Sequence, residues 1–265
     1  MATLAPNTVD AAVAQLFAAQ SERREIEPLT DTWPGLDERT AYDIQKQLVA
    51  KQVAAEATHR AGLKLGLTSK AKQQQMKVGE PIYGVLLASR IIGEAQPLSI
   101  GSLIHPKAEP EIAFVTAREL RGPGVTTDAA RAAIGCALVA MEIIDSRYKD
   151  FRFTLPDVVA DNTSAARYVT STYVVPVAGL DLRTLGVVFE KNGEVVTTAA
   201  GAAILGDPAA ALAWLANKLA ERGEAVPAGT LVGAGALTDA VSIAPGDVVR
   251  TTIATLGSLT IRCVA

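Results

Sequence analysis

His105-Pro-Lys-Ala-Glu-Pro-Glu-Ile-Ala-Phe-Val115 places two carboxylates where a strand is expected, and a third interrupts the apolar run Cys136-Ala-Leu-Val-Ala-Met-Glu-Ile-Ile144. If Ala108 to Val115 forms a strand, residues two apart face the same side, so Glu109 and Glu111 project together. Glu142 stands among residues that bury, and a charged side chain is almost never fully buried without a partner. Carboxylates gathered in one place repel by roughly 1–4 kcal/mol per close pair. A hard divalent cation with oxygen ligands, Mg2+ or Mn2+, relieves all three at once. Two ordinary alternatives stand beside that reading. Glu109 and Glu111 could face solvent on an edge strand, where Pro110 is tolerated, and Glu142 could pair with a lysine or arginine.

Outward from this segment the pattern divides in two. Upstream, Val9, Val13, Leu16 and Phe17 follow helical spacing, with Asn7 or Thr8 as cap. A second helix, from Asp37 to Thr58, puts Ala41, Ile44 and Leu48 on one face. Gly62 to Thr68 alternates as a strand, and from there strands dominate. Asp128 to Ala133 reads as a short helix, and Val158-Val-Ala as the end of an apolar strand. Asn192-Gly193 is the favoured pair for a type I′ turn between Val187-Val-Phe and Val195-Val-Thr. Asp207-Pro208 opens a helix carrying Leu212, Leu215 and Leu219 and ending at Gly223. Val241 to Ala265 returns to strand. The predicted class is α+β, with a helical region over residues 1–60 and a β-rich catalytic body over 61–265.

The totals narrow the function. A chain of 265 residues, nearly half apolar, can bury a sizeable core. A net charge of −3 with scattered Lys and Arg gives no nucleic-acid footprint. Cys136 and Cys263 are far apart in apolar contexts and are expected as free thiols. The N-terminus lacks a basic segment followed by an apolar one, so no signal peptide is expected. No stretch approaches the ~20 apolar residues of a membrane helix. A cytoplasmic protein that binds no membrane is expected.

Other residues could carry chemistry. Lys64, in Ala61-Gly-Leu-Lys-Leu-Gly-Leu-Thr-Ser69, either snorkels to water or sits beside a bound anion, where the flanking glycines admit a ligand. Asp161-Asn-Thr-Ser164 is either a turn or a source of hydroxyl and amide contacts to a carboxylate. Asp145-Ser-Arg-Tyr-Lys-Asp-Phe-Arg-Phe153 reads as a solvated loop that could also offer positive charge to an acidic substrate. His59 and His105 lack neighbours at zinc-ligand spacing. No Gly-x-Ser-x-Gly elbow is present, and Gly233-Ala-Gly-Ala lacks the ending of a phosphate loop.

Taken together, Gly62-Leu-Lys-Leu-Gly-Leu-Thr-Ser69, His105-Pro-Lys-Ala-Glu-Pro-Glu-Ile-Ala-Phe114, Glu142-Ile-Ile-Asp-Ser-Arg147, Val159-Ala-Asp-Asn162 and the tail Gly246-Asp-Val-Val resemble the hydratase/decarboxylase branch of the fumarylacetoacetate hydrolase superfamily, over nearly the whole chain. The resemblance implies a β-rich, fumarylacetoacetase-like body. It implies Mg2+ or Mn2+ on Glu109, Glu111 and Glu142. It implies catalytic roles for Lys64 and Ser164, and substrate contacts from Thr68, Ser69, Ile82, Tyr83, Arg147 and Asn162. It also implies a homo-oligomer and association with the pathway hydratase.

The branch contains two reactions of meta-cleavage aromatic catabolism: hydration of 2-hydroxypenta-2,4-dienoate, and decarboxylation of 4-oxalocrotonate (2-oxo-3-hexenedioate) to that dienoate. Ile82, in Gly79-Glu-Pro-Ile-Tyr-Gly84, stands where the hydratases usually carry an aspartate. Tyr148 and Phe151 replace their usual isoleucine and tryptophan. Both features favour a metal-dependent carboxy-lyase acting on a small dicarboxylate, with hydration as the alternative. A non-catalytic scaffold for the hydratase would be marked by a degraded glutamate set, and all three glutamates and Lys64 are present. Acylpyruvate hydrolysis would need a His-Glu pair that neither His59 nor His105 is placed to form. Arg147, Lys149, Arg152 and Arg167 are all candidates for the distal carboxylate.

Overall fold

Among the residues described by the computed structural model, 7–76 and 78–265 with the side chains of 75 and 76 excepted, α-helices come first. They are α1 (Thr8–Glu22), α2 (Leu29–Thr32) and α3 (Glu38–Ala55). Next follow β1 (Arg60–Gly66), α4 (Lys70–Met76), β2 (Ile82–Leu87), β3 (Ile91–Gly93), β4 (Leu98–Ser99) and the long β5 (Lys107–Thr116). Then come α5 (Thr127–Ala133), β6 (Ile134–Ile144), α6 (Leu155–Ala160), β7 (Ala165–Thr170), β8 (Val175–Pro176), β9 (Gly186–Lys191) and β10 (Glu194–Ala200). The chain finishes with α7 (Pro208–Ala220), β11 (Leu231–Ala236), β12 (Val241–Ser242), β13 (Val248–Ile253) and β14 (Gly257–Val264). The architecture is α+β, as predicted.

Local chemistry sets many of these boundaries. Asp37 caps α3 by accepting from Thr40 N at 2.8 Å, and Ala41, Ile44 and Leu48 line the buried face. Asp207 accepts from Ala209 N at 2.9 Å, with Pro208 in the first turn of α7 and Leu212, Leu215 and Leu219 buried. The β9–β10 hairpin turns at Asn192 and Gly193, both left-handed at φ 56° and 86°. α1 begins at Thr8 after Asn7, whose side chain caps nothing.

Val158-Val-Ala is helical, contrary to the strand expected there. Asp157 Oδ2 accepts from Thr154 N at 2.8 Å and from Thr154 Oγ1 at 2.7 Å, which starts α6, and Pro156 fits its first turn. The overriding signal is the capping pair Thr154 and Asp157, which outweighs the β-branched residues behind it. Asp157 also takes Thr30 N and Oγ1, both at 2.8 Å, tying α2 to α6.

The strands form two sheets. One runs β2-β1-β11-β5-β6-β7-β3, with β12 pairing β5 and β8 pairing β6; the other runs β10-β9-β13-β14-β4. β5 therefore lies inside its sheet, between β11 and β6. Its odd and even positions serve different surroundings. Ile112 and Phe114 enter the main core with Leu16, Leu48, Val139 and Leu212, while Ala113 joins a smaller cluster with Leu138, Ala140 and Tyr168. The glutamates share the face of Ala113, since residues two apart face alike. Pro110, within a central strand, lies just past the pairing of β11 with β5, which ends at Glu111 opposite Ala236; there its carbonyl accepts from Leu237 N at 2.9 Å.

Candidate active site

Glu109 sits directly opposite Glu142 in the β5–β6 ladder, and Glu111 opposite Ala140. The edge-strand alternative is thereby overturned: Glu111 and Glu142 are fully buried and Glu109 nearly so. Tyr168, paired with Glu142 across β6–β7, donates its hydroxyl to Glu111 Oε2 at 2.8 Å. Gly233 makes room for this contact, because a Cβ there would lie 2.5 Å from both Glu111 Oε2 and the Tyr168 hydroxyl.

Two lysines answer the acidic face. Lys64, on β1, is buried rather than snorkelling; its Nζ lies 2.8 Å from Glu142 Oε2 and donates to Thr163 O at 3.2 Å. The Lys64–Glu142 contact is an ion pair without hydrogen-bond alignment. Lys72, on α4, reaches Glu109 Oε1 at 3.0 Å and Thr238 O at 3.1 Å. Burial disfavours the charged Lys72, but Glu109 outweighs it and raises its pKa. Glu111 has no cation at ion-pair distance among the described residues. Burial, reinforced by Glu142, holds its carboxyl well above the usual range. Burial pushes Glu142 up to about 7 against the pull of Lys64.

This donor set fits a hard cation. It is all oxygen and carries one more carboxylate than the two lysines paired with it. Glu111 Oε1 and Glu142 Oε1 are buried without a hydrogen-bond partner among the described residues, a costly state unless something binds them. Among the described residues no three acidic, His or Cys side chains stand close enough to chelate an ion as they are; Lys64 and Lys72 hold Glu142 and Glu109.

Asn162, Thr163 and Ser164 form a second feature. All three have left-handed backbone, at φ 48°, 56° and 56°, each costing on the order of 1–2 kcal/mol for a residue with a Cβ. The surroundings impose it. Asn162 Oδ1 accepts from Val85 N at 2.8 Å and its Nδ2 donates to Val85 O at 2.9 Å. Thr163 Oγ1 donates to Tyr83 O at 2.9 Å, and Ser164 N to Asp161 O at 3.0 Å. Ser164 Oγ is left buried with no partner among the described residues. Strain over-determined in this way marks functional sites.

Lys64, Thr68, Ile82, Glu109 and Ser164 line one cavity of about 310 Å³, with Lys72, Lys107, Phe151 and Phe153. Glu111 and Glu142 lie beyond its lining. Four expected substrate contacts are outside it. Ser69 instead caps α4, accepting from Lys72 N at 3.1 Å. Tyr83 stacks on Tyr42 with ring centroids 4.6 Å apart, because its neighbour Ile82 takes the cavity side of the strand. Asn162 is spent on Val85. Arg147 is spent on Asp161 Oδ1 and on Asp145 O at 2.7 Å. The segment expected as a solvated loop is thus buried from Asp145 to Tyr148, because these internal bonds satisfy its polar groups.

Sequence reasoning passed over Lys72, Lys107 and Tyr168, and used Phe151 only as a mark of the reaction type, not as a lining residue. Lys107 was detectable, since the two-residue period that pairs Glu109 with Glu111 also includes it. Lys72 and Tyr168 carried no local signal. Cys136 and Cys263 are free, and no helix among the described residues is long and apolar enough to cross a membrane.

Comparison with known proteins bears on this site. Residues 49–264 match the family model described as fumarylacetoacetate (FAA) hydrolase C-terminal. The chain is 45% identical over 245 residues to a 4-oxalocrotonate decarboxylase of Pseudomonas sp. (strain CF600), covering 92% of each protein. It is 37% identical over 253 residues to a 2-keto-4-pentenoate hydratase of Paraburkholderia phymatum, covering 96% of each. The 4-oxalocrotonate decarboxylase of Pseudomonas putida G7, solved with magnesium and adipate, superimposes with a TM-score of 0.95 at 42% identity and 99% coverage of both chains.

Proposed function

This chain belongs to the fumarylacetoacetate hydrolase family, and on that premise we propose that it decarboxylates 4-oxalocrotonate to 2-hydroxypenta-2,4-dienoate and CO2, with a divalent cation, Mg2+ or Mn2+, held by Glu109, Glu111 and Glu142. The observation that carries the reading is the set of buried, unpartnered oxygens of Glu111, Glu142 and Ser164 beside a cavity walled by Ile82. The cation would supply Lewis-acid stabilisation of negative charge on the 2-oxo oxygen.

The chain's own groups divide the remaining work. Lys64 holds a fixed positive charge at the cavity wall, where charge builds as the C–C bond breaks; preorganised charge of this kind is worth far more in a water-poor site than in solvent. Ser164 Oγ, free to donate, orients the substrate carboxylate. Thr68 lines the same wall. Loss of CO2 leaves its electron pair in the conjugated chain, and the dienolate so formed takes one proton to give the dienol. Ile82, Ile144, Phe153 and Val158 exclude water, and an apolar wall favours neutral CO2 over a carboxylate. The apolar Ile82 also favours decarboxylation over hydration, which needs a group to handle water.

The similarity to 2-keto-4-pentenoate hydratases keeps hydration as the second reading. The wider proposal takes the division at residues 60 and 61 from the helix and strand pattern of the sequence, a cytoplasmic setting from the expected lack of a signal peptide or membrane helix, and a homo-oligomer and association with a hydratase from the family resemblance. The test is to incubate the purified chain separately with 4-oxalocrotonate and 2-hydroxypenta-2,4-dienoate, with and without Mg2+. Mg2+-dependent consumption of the first alone is expected. Consumption of the second alone overturns the decarboxylase reading, and full activity after exhaustive chelation overturns the metal.

A further inference from the structure

Of the three lysines that line the cavity among the described residues, Lys64 is paired with Glu142 and Lys72 with Glu109. Lys107 is different. It lines the cavity half-buried, its Nζ lies 4.0 Å from the centroid of the Phe151 ring, and among the described residues it has no carboxylate or hydrogen-bond partner. A ring face attracts an ammonium but uses none of its hydrogen-bond donors. We propose that Lys107 receives the distal carboxylate of the substrate and thereby selects dicarboxylates over monocarboxylates. The assignment rests on the reading that the other end of the substrate is held at the glutamates.

Spacing supports it. Lys107, Glu109 and Glu111 stand on one side of β5, so the lysine is one two-residue step, ~6.6–6.8 Å, from Glu109 and twice that, ~13 Å, from Glu111. Five C–C bonds of about 1.5 Å separate the carboxyl carbons of an extended six-carbon diacid by ~6–7 Å. A molecule engaged near the glutamates therefore extends toward Lys107. The cavity wall also contains Ile82, Ile144, Phe153 and Val158, none of which can hold a charge.

The cations expected as candidates from the sequence lie away from the cavity. Arg147 is bound to Asp161, and Arg152 to Glu27 and Asp31 at the surface. Arg167 donates to Ala166 O at 2.9 Å and Ser102 Oγ at 3.3 Å, and Lys149 is exposed. None of these lines the cavity. Phe151, which carries the ammonium, is itself fixed against the His105 ring with centroids 4.5 Å apart. Contrary to the expectation that neither histidine could form a His-Glu pair, His105 does: its Nδ1 lies 2.8 Å from Glu25 Oε1 and its Nε2 2.6 Å from Ser146 O, though neither His105 nor Glu25 lines the cavity.

The test compares adipate with hexanoate, equal in length and differing by one carboxylate, by titration calorimetry on the full chain with Mg2+. The proteins are wild type, Lys107→Met and Lys107→Arg. Wild type is expected to prefer adipate. Lys107→Met should weaken adipate by about tenfold to a hundredfold, leave hexanoate nearly unchanged, and raise KM for 4-oxalocrotonate by more than it lowers kcat. Lys107→Arg should restore most of the adipate affinity. Methionine keeps an unbranched stem on Phe151, and circular dichroism checks the fold. Absence of a wild-type preference for adipate, unchanged adipate affinity in Lys107→Met, or equal losses for both ligands overturns the assignment. Failure to turn over 4-oxalocrotonate with the adipate preference intact overturns the proposed reaction and leaves Lys107 standing.

Discussion

Two buried ion pairs lie within a few residues of each other in this fold, and they differ in what remains unmet. Arg147 and Asp161 satisfy one another almost entirely within the protein. The guanidinium is taken by Asp161 and by Asp145 O, while Asp161 also accepts from Arg147 N at 3.2 Å. Lys64 and Glu142 meet at 2.8 Å, yet among the described residues Glu142 Oε1, neighbouring Glu111 Oε1 and Ser164 Oγ have no partners. A closed network fixes one arrangement of the chain. An open one is destabilising by itself and gains its favourable energy when a ligand arrives. The difference separates a brace from a reaction centre, although both consist of buried charge.

The sharpest way to break that distinction is a pair of substitutions. Glu111→Gln should lower kcat/KM for decarboxylation by about 10³-fold, or ~4 kcal/mol. It should leave the thermal midpoint of the metal-free protein equal or higher, because a buried carboxyl whose ionisation burial and Glu142 oppose has gone. Arg147→Met should do the reverse, losing ~3–5 kcal/mol of stability in denaturant unfolding by stranding Asp161, with kcat of the folded enzyme little altered. If each variant lost activity and stability together, the two regions would not differ in kind.

Proton linkage gives a smaller effect with a defined sign. Glu142, raised by burial to about 7, binds its proton more tightly folded than unfolded. Its contribution is complete below pH ~4.5 and is lost as pH rises through about 7, roughly 3 kcal/mol in all. Asp161, raised by burial to about 6 against Arg147, adds a decline of the same sign. Mg2+ should counter the decline with increasing effect toward pH 8, because a cation binds the ionised carboxylates. In Glu142→Gln the part of the decline that remains should respond to Mg2+ less. Thermal midpoints from pH 5 to 8, with and without Mg2+, check this, and a decline in wild type indifferent to Mg2+ would contradict the open-site reading.

The smallest effect is expected at Tyr168. Tyr168→Phe removes the hydroxyl donated to Glu111 Oε2 and should cost about 1–2 kcal/mol of stability, read from the denaturation midpoint, with a shift in the Mg2+ concentration giving half-maximal activity. A variant equal to wild type in both would show that Glu111 needs no internal support.

Legibility followed the range of the interaction. The strand bearing Glu109 and Glu111, the Asn192-Gly193 hairpin, the Asp37 and Asp207 caps and the buried faces of α3 and α7 were readable, because period, turn chemistry and capping act within a few residues. The helix α6 was misread because β-branched Val158 and Val159 suggested a strand, while Thr154 and Asp157 carried the decisive cap. Arg147, Asn162 and Tyr83 have the side chains of binding residues, and only their partners show that they are otherwise engaged. The sequence by itself determined the three glutamates, the α+β order and the family resemblance. Tertiary structure decided which lysine meets which carboxylate, that Glu111 meets none among the described residues, and that Lys107 lines the cavity with its ammonium over the Phe151 ring. Those outcomes depend on sheet register between strands distant in the chain. A buried charge is judged by the partners that register supplies, and no local pattern records them.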